Sequence, residues 1–209
     1  MRLAFVIFLL VIVTTAFEIG LARAQIPVPA NYLDSLKWRQ LAAEAGNMTA
    51  QFQLGQILDS GLTSEPNQKE AANWYKKAAE QGHVEAQIRL AQMYYHGEGV
   101  ARDLTQSSKW YGLAAKAEIP LAQFNYATML EAGAGIERNL SEAAKFYEKA
   151  ARSGHMQAQI GLAMLYARGS GVELNFDNAL IWLETAIEGG ASVPKPVYEL
   201  LQSDLSPKH

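Results

Sequence analysis

The sequence predicts an all-α solenoid of stacked helix pairs, and three periodic observations predict it. An aromatic residue returns every 36 residues, at Trp38, Trp74, Trp110, Phe146 and Trp182. An alanine four positions later keeps the same step, at Ala42, Ala78, Ala114, Ala150 and Ala186. A glycine closes the units, at Gly46, Gly82, Gly154 and Gly190, with Glu118 as the one exception. Self-similarity at a step of this size marks supersecondary units that bury their apolar faces on one another.

The chain begins as an export signal would. Arg2 precedes an apolar run from Leu3 to Phe17, and Ala22-Arg23-Ala24 offers a small-x-small cleavage site before Gln25. Residues 1–24 are therefore expected to be a signal peptide. The run is short for a bilayer helix, which takes about 20 residues. An uncleaved anchor through residues 3–22 is the alternative, and it would carry Glu18 into lipid. Losing Arg2, Arg23 and Glu18 moves the net charge from −3 to −4. That mild acidity leaves no basic footprint for nucleic acid, and no membrane contact is expected once the signal is gone. The chain has no cysteine, which excludes disulfides, thiolate metal sites and a thiol nucleophile. An exported fold without disulfides must be held by packing, which suits a bacterial periplasm.

Residues 25–30, with two prolines, read as an extended linker. Residues 31–46 hold half a repeat, with Trp38, Ala42 and Gly46 but no helix before them, and are expected to cap the stack. Four full units follow at 47–82, 83–118, 119–154 and 155–190. In the first helix of each, the columns Ala50, Ala86, Ala122, Ala158 and Leu54, Leu90, Tyr126, Leu162 form one apolar stripe. Those helices are expected to stop at Gly61, Gly97, Gly133 and Gly169. Asn31, Asn67, Asp103, Asn139 and Asn175 are N-cap types, and Asn67 with Glu70 and Asn139 with Glu142 have capping-box spacing. The second helix is expected to bury Ala71, Trp74, Tyr75, Ala78 and Ala79. Pro120, after Glu118, can start a helix but cannot extend one. Residues 191–209 lose the pattern and form a C-terminal cap and tail.

The pattern Ala-x-x-x-Leu-Ala-x-x-Tyr-x-x-Gly-x-Gly-Val-x-x-Asp of the second unit, followed by aromatic and Ala-Ala positions, resembles the Sel-1-like repeat family. Tetratricopeptide repeats are similar, but their first-helix tryptophan is replaced here by Gln51, Gln87, Gln123 and Gln159. The resemblance covers residues 31–190. It implies a right-handed α/α superhelical solenoid that acts as an adaptor, binding a protein or peptide along a concave face lined by the first helices. No catalytic residue, cofactor or metal is implied.

First-helix positions that vary between units are the candidate partner-binding residues. One column reads Gln53, Arg89, Asn125, Gly161, the next Gln56, Gln92, Thr128, Met164, and a third Asp59, Tyr95, Glu131, Ala167. His96 and Arg168 lie one residue beyond the third. Tyr95, Arg89 and Arg168 are the expected anchors, since aromatic and guanidinium groups dominate interface energetics. The invariant-looking glutamines are expected to bond between helices. His83 and His155 follow a closing glycine and are expected to cap the next helix. Ser192-Val-Pro-Lys195 fits the nucleophile motif of penicillin-recognising enzymes but lacks its partner motifs. A small cell-wall or β-lactam hydrolase is therefore the rival reading, and a membrane-tethered structural subunit the third.

Overall fold

The computed structural model describes residues 32–61 and 65–192. Over these residues the chain runs through nine helices and no strand. Helix α1 spans Tyr32–Glu44, α2 Met48–Ser60, α3 Gln68–Glu80, α4 Val84–His96 and α5 Leu104–Ala115. Helix α6 spans Pro120–Ala132, α7 Leu140–Arg152, α8 Met156–Arg168 and α9 Phe176–Glu188. The even-numbered helices are the first helices of the four units, and the odd-numbered ones from α3 onward the second. Each helix packs chiefly on its neighbours in the chain, as a one-dimensional stack requires. The export signal, the linker, Asn31 and the tail beyond residue 192 lie outside the described residues.

Each first helix stops at its glycine, with φ of 66° at Gly61, 79° at Gly97, 68° at Gly133 and 60° at Gly169. The amides of Glu98, Ala134 and Ser170 then donate back to the carbonyls of Met93, Met129 and Leu165 at 3.0, 2.9 and 3.0 Å. This satisfies carbonyls that a helix end leaves bare. Each second helix starts on a side-chain cap. Asn67, Asp103, Asn139 and Asn175 accept the amides of Glu70, Gln106, Glu142 and Asn178 at 3.1, 3.0, 3.0 and 2.8 Å.

Both capping-box pairs form, with one change. Glu70 and Glu142 accept from the asparagine side-chain amides, at 3.0 and 3.3 Å, and not from the backbone N–H. That N–H is already committed, because Asn67 and Asn139 donate it to the carbonyls of Leu58 and Leu130. The same bond recurs from Asp103 to Tyr94 and from Asn175 to Tyr166, and ties the two helices of each unit together.

The alanine columns form the floor of the core. Ala78, Ala114, Ala150 and Ala186 are fully buried, as are Ala86, Ala122 and Ala158. The tryptophan column does not lie as deep as expected. Trp110 is buried, but Trp38, Trp74, Phe146 and Trp182 are half-buried, and Lys77 lies over the Trp74 ring at 3.8 Å. The next column, Tyr75, Tyr111, Tyr147 and Leu183, takes the interior place instead. An indole at the seam between second helices keeps one face in water, where a lysine covers it. Met93, Met129 and Leu165 add an interior column that the sequence reading did not single out.

The four glutamines bond between helices. Gln51, Gln87, Gln123 and Gln159 are buried, and their amides donate to the carbonyls of Ala43, Ala79, Ala115 and Ala151. Each bond joins a first helix to the second helix before it. Glu118 adopts φ 59°, the left-handed turn that glycine makes in the other units. Pro120 then opens α6, and Ile119 before it supplies no side-chain cap.

Candidate partner-binding site

The first helices α2 and α4, with the start of α6, form an open groove of about 800 Å³. Four of the candidate residues line it: Gln56, Asp59, Arg89 and Gln92. Gln56 and Gln92 project here from equivalent turns of α2 and α4, and Arg89 of α4 reaches across to Asp59 of α2. Three apolar side chains, Phe52, Ile88 and Leu121, share the groove and were not singled out from the sequence. Phe52 and Ile88 belong to a further periodic column, Phe52, Ile88, Phe124 and Ile160, all apolar, whereas the column of Leu121 reads Thr49, Glu85, Leu121, Gln157 and carries no such signal. The apolar column stands beside the glutamines, off the main stripe, so periodicity alone does not mark it as a surface.

Arg89 is already engaged. Its guanidinium donates twice to Asp59, at 2.7 and 3.0 Å, and pairs with Glu98 at 2.9 Å. The Asp59 carboxylate also accepts the Tyr75 hydroxyl at 3.3 Å. The hydrogen bond to Asp59 raises the Arg89 pKa further above its ordinary value. Burial, with the Asp59 charge, holds the Tyr75 phenol protonated as well. This bidentate, part-buried pair bridges the first and second units. A partner carboxylate would have to displace two carboxylates already in place, so Arg89 shapes the groove more than it offers a free cation.

The remaining candidates are not gathered there. Gln53 faces α1 and accepts from Arg39 at 3.2 Å. Glu131 and Thr128 hold the Tyr147 hydroxyl, at 2.7 and 3.2 Å, repeating the Asp59–Tyr75 contact two units later. Tyr95 is exposed and stacks edge-on against His96 at 5.0 Å. Arg168 is exposed at the end of α8, and Asn125 and Met164 are half-buried on α6 and α8. His83 and His155 cap α4 and α8, their Nδ1 atoms accepting from Ala86 and Ala158 at 3.4 and 3.3 Å. Each imidazole stacks on a phenyl ring, Phe52 or Phe124. Ser192 is exposed just past α9, and Lys195 lies outside the described residues.

An all-α stack of helix pairs with an open face on its first helices is the architecture of the repeat solenoids. The Sel1 repeat profile matches residues 17–47, 49–83, 84–118, 120–155 and 157–190, and the chain belongs to the Sel1 repeat family. The last four matches agree with the units read from the sequence to within two residues. The first opens at residue 17, inside the stretch read as an export signal, where a half-unit from residue 31 was expected.

Two solved structures are similar. One is a Sel1 repeat protein from Oxalobacter formigenes, 31% identical, with a TM-score of 0.71 over 79% of this chain and 68% of its own. The other is a protective antigen present in uropathogenic Escherichia coli strains and displaying an SLR fold. It is 33% identical, with a TM-score of 0.71 over 75% of this chain. The match spans about a third of that antigen's length, 34%. No curated protein sequence matches the chain. Family membership makes protein–protein interaction the class of function to expect.

Proposed function

We propose that the chain is a non-catalytic interaction module, exported to the bacterial periplasm, that docks a segment of a protein partner along its first helices. The groove between α2, α4 and α6 carries this reading. It sets the apolar side chains Phe52, Ile88 and Leu121 among Gln56, Gln92 and Ser60, whose amides and hydroxyl can bond a peptide backbone. The Asp59–Arg89–Glu98 network holds the groove wall rigid, so docking costs little ordering there.

Affinity capture from an envelope extract tests the assignment. Leu121→Asp, at an exposed position, combined with Gln92→Arg, at a half-buried one on the groove wall, is expected to abolish capture while far-UV circular dichroism stays unchanged. Undiminished capture by a helical double variant removes the groove. Mass spectrometry of the purified protein, expected to begin at Gln25, tests export with cleavage.

A further inference from the structure

The face built by the second helices breaks its repeat at one seam. Where Trp38, Trp74, Trp110 and Trp182 recur, the third full unit carries Phe146. Two positions later in the unit, the column Lys76, Gly112, Glu148, Glu184 has a glycine in the second unit. Both departures fall on the seam where α5 faces α7. A phenyl ring fills less space than an indole, and Gly112 leaves room that the Tyr126 ring enters. The outcome is a cavity of about 410 Å³ lined by Gly112, Leu113, Tyr126, Ile136 and Phe146.

Tyr126 reaches this cavity from α6, with its ring edge-on to Phe146 at 4.9 Å. A Cβ on residue 112 would stand 3.0 Å from that ring, tighter than ordinary contact, so the glycine is what admits the tyrosine. Burial and the Glu142 carboxylate raise the Tyr126 pKa, which keeps the phenol a hydrogen-bond donor. Leu113 is 37% exposed at the mouth.

The rim is cationic. Lys109 and Lys116 line the cavity, and Lys149 stands 5.4 Å from the centre of the Phe146 ring. Among the described residues none of these three lysines is in an ion pair. Glu142 is the one carboxylate lining the cavity.

We propose that this seam is a second docking site, which takes an aromatic side chain carried on an acidic segment of a protein partner. The cavity has room for a ring but not for a folded element. The unpaired lysines around it complement carboxylates on either side of that ring. A basic segment would meet the like charges of Lys109, Lys116 and Lys149. The site is on the second helices and the groove is on the first, so filling one leaves the other open. This inference is independent of the groove assignment.

The test is an NMR titration of the ¹⁵N-labelled chain with the capped peptide Asp-Glu-Phe-Glu-Asp. Amide shifts are expected at Gly112, Leu113, Ile136 and Phe146, with those of Gln56 and Arg89 unmoved. Phe146→Trp restores the residue found at the other units, so the fold tolerates it while the cavity closes. It is expected to weaken binding by about tenfold or more, and Lys109→Glu with Lys116→Glu to do the same. The proposal is overturned if millimolar peptide moves none of these amides, or if Phe146→Trp binds as well as the parent. It is also overturned if Asp-Glu-Ala-Glu-Asp binds equally, which would reduce the seam to a charged surface. Binding of phosphatidylglycerol vesicles without binding of the peptide would overturn it in favour of a lipid surface.

Discussion

Glu118 is the one described non-glycine residue with positive φ, at 59°. Glycine holds the same place at Gly46, Gly82, Gly154 and Gly190, where φ runs from 82° to 96°. A Cβ at those four glycines would meet nothing within 4 Å, so the turn demands glycine for its backbone angle and not for space. The left-handed conformation costs a residue with a Cβ about 1–2 kcal/mol, and glycine's extra freedom in the unfolded chain returns part of that. Glu118→Gly is therefore expected to stabilise the fold by roughly 0.5–1 kcal/mol, read as a rise in the urea midpoint at unchanged slope.

His155 gives a second expectation at the same scale. Burial lowers its pKa below the ordinary value of 6.5, and its Nδ1 must stay unprotonated to accept the Ala158 amide. The unfolded chain thus takes up the proton first as pH falls. Stability is full above about pH 6.5 and declines below it as the pH passes through the folded-state pKa. His155→Asn keeps a capping acceptor without a titrating group. Urea melts at about pH 7.5 and about pH 5 should show a smaller loss between the two for the variant than for the parent.

Most first helices of this chain are alike because the same local devices bound them, with α6 lacking the side-chain cap. Thirteen-residue helices between a side-chain cap and a left-handed glycine stop recur at α2, α4 and α8. The units are then locked by a close approach. A Cβ on Gly135 would stand 2.1 Å from the backbone of Leu104, the first residue of α5 in the unit before. That contact is backbone, which cannot swing aside, and φ at Gly135 is 70° besides. Gly135→Ala is expected to destabilise the chain by about 1–3 kcal/mol, the cost of overpacking a tight site. A drop in the thermal midpoint of several degrees would accompany it. An unchanged midpoint would mean that the two units do not seat on each other at this loop.

The whole molecule is a line of units that touch only their neighbours, so cooperativity has to pass through each seam in turn. Gly135→Ala weakens the middle seam and leaves the outer units intact. The urea transition is expected to broaden, with an apparent slope below that of the parent, as the two halves uncouple. Trp38, Trp74 and Trp110 lie in one half and Trp182 in the other, so a variant that keeps only Trp110 and one that keeps only Trp182 report the halves separately by fluorescence. A sharp, coincident transition by both reporters would sink this account. At the same scale the two faces differ in charge. The groove holds Asp59, Glu85 and Glu98 against Arg89, whereas the α5–α7 seam holds unpaired lysines.

The helix count over the full units, the stops at Gly61, Gly97, Gly133 and Gly169, the caps and the interhelical glutamines were all legible in the residues. Each depends on a rule that acts within a turn or two of helix, or on a column repeated every 36 residues. The depth of the tryptophans was misread because Trp74 and Tyr75 both fit the buried stripe. Only the packing of the next second helix decides which of them goes inside. Arg89 looked like a free anchor for the same reason. Its partners Asp59 and Glu98 sit on other elements, and no spacing along the chain announces that the three will meet. Phe52, Ile88 and Leu121 become a groove, and Phe146 with Gly112 a cavity, only when separate units are set side by side. Local sequence thus determined the repeating unit and its ends, since short-range sterics and hydrogen bonds act alike in every copy. The tertiary stack decided which side chains are spent on each other and which face a partner, because those contacts join residues from different copies.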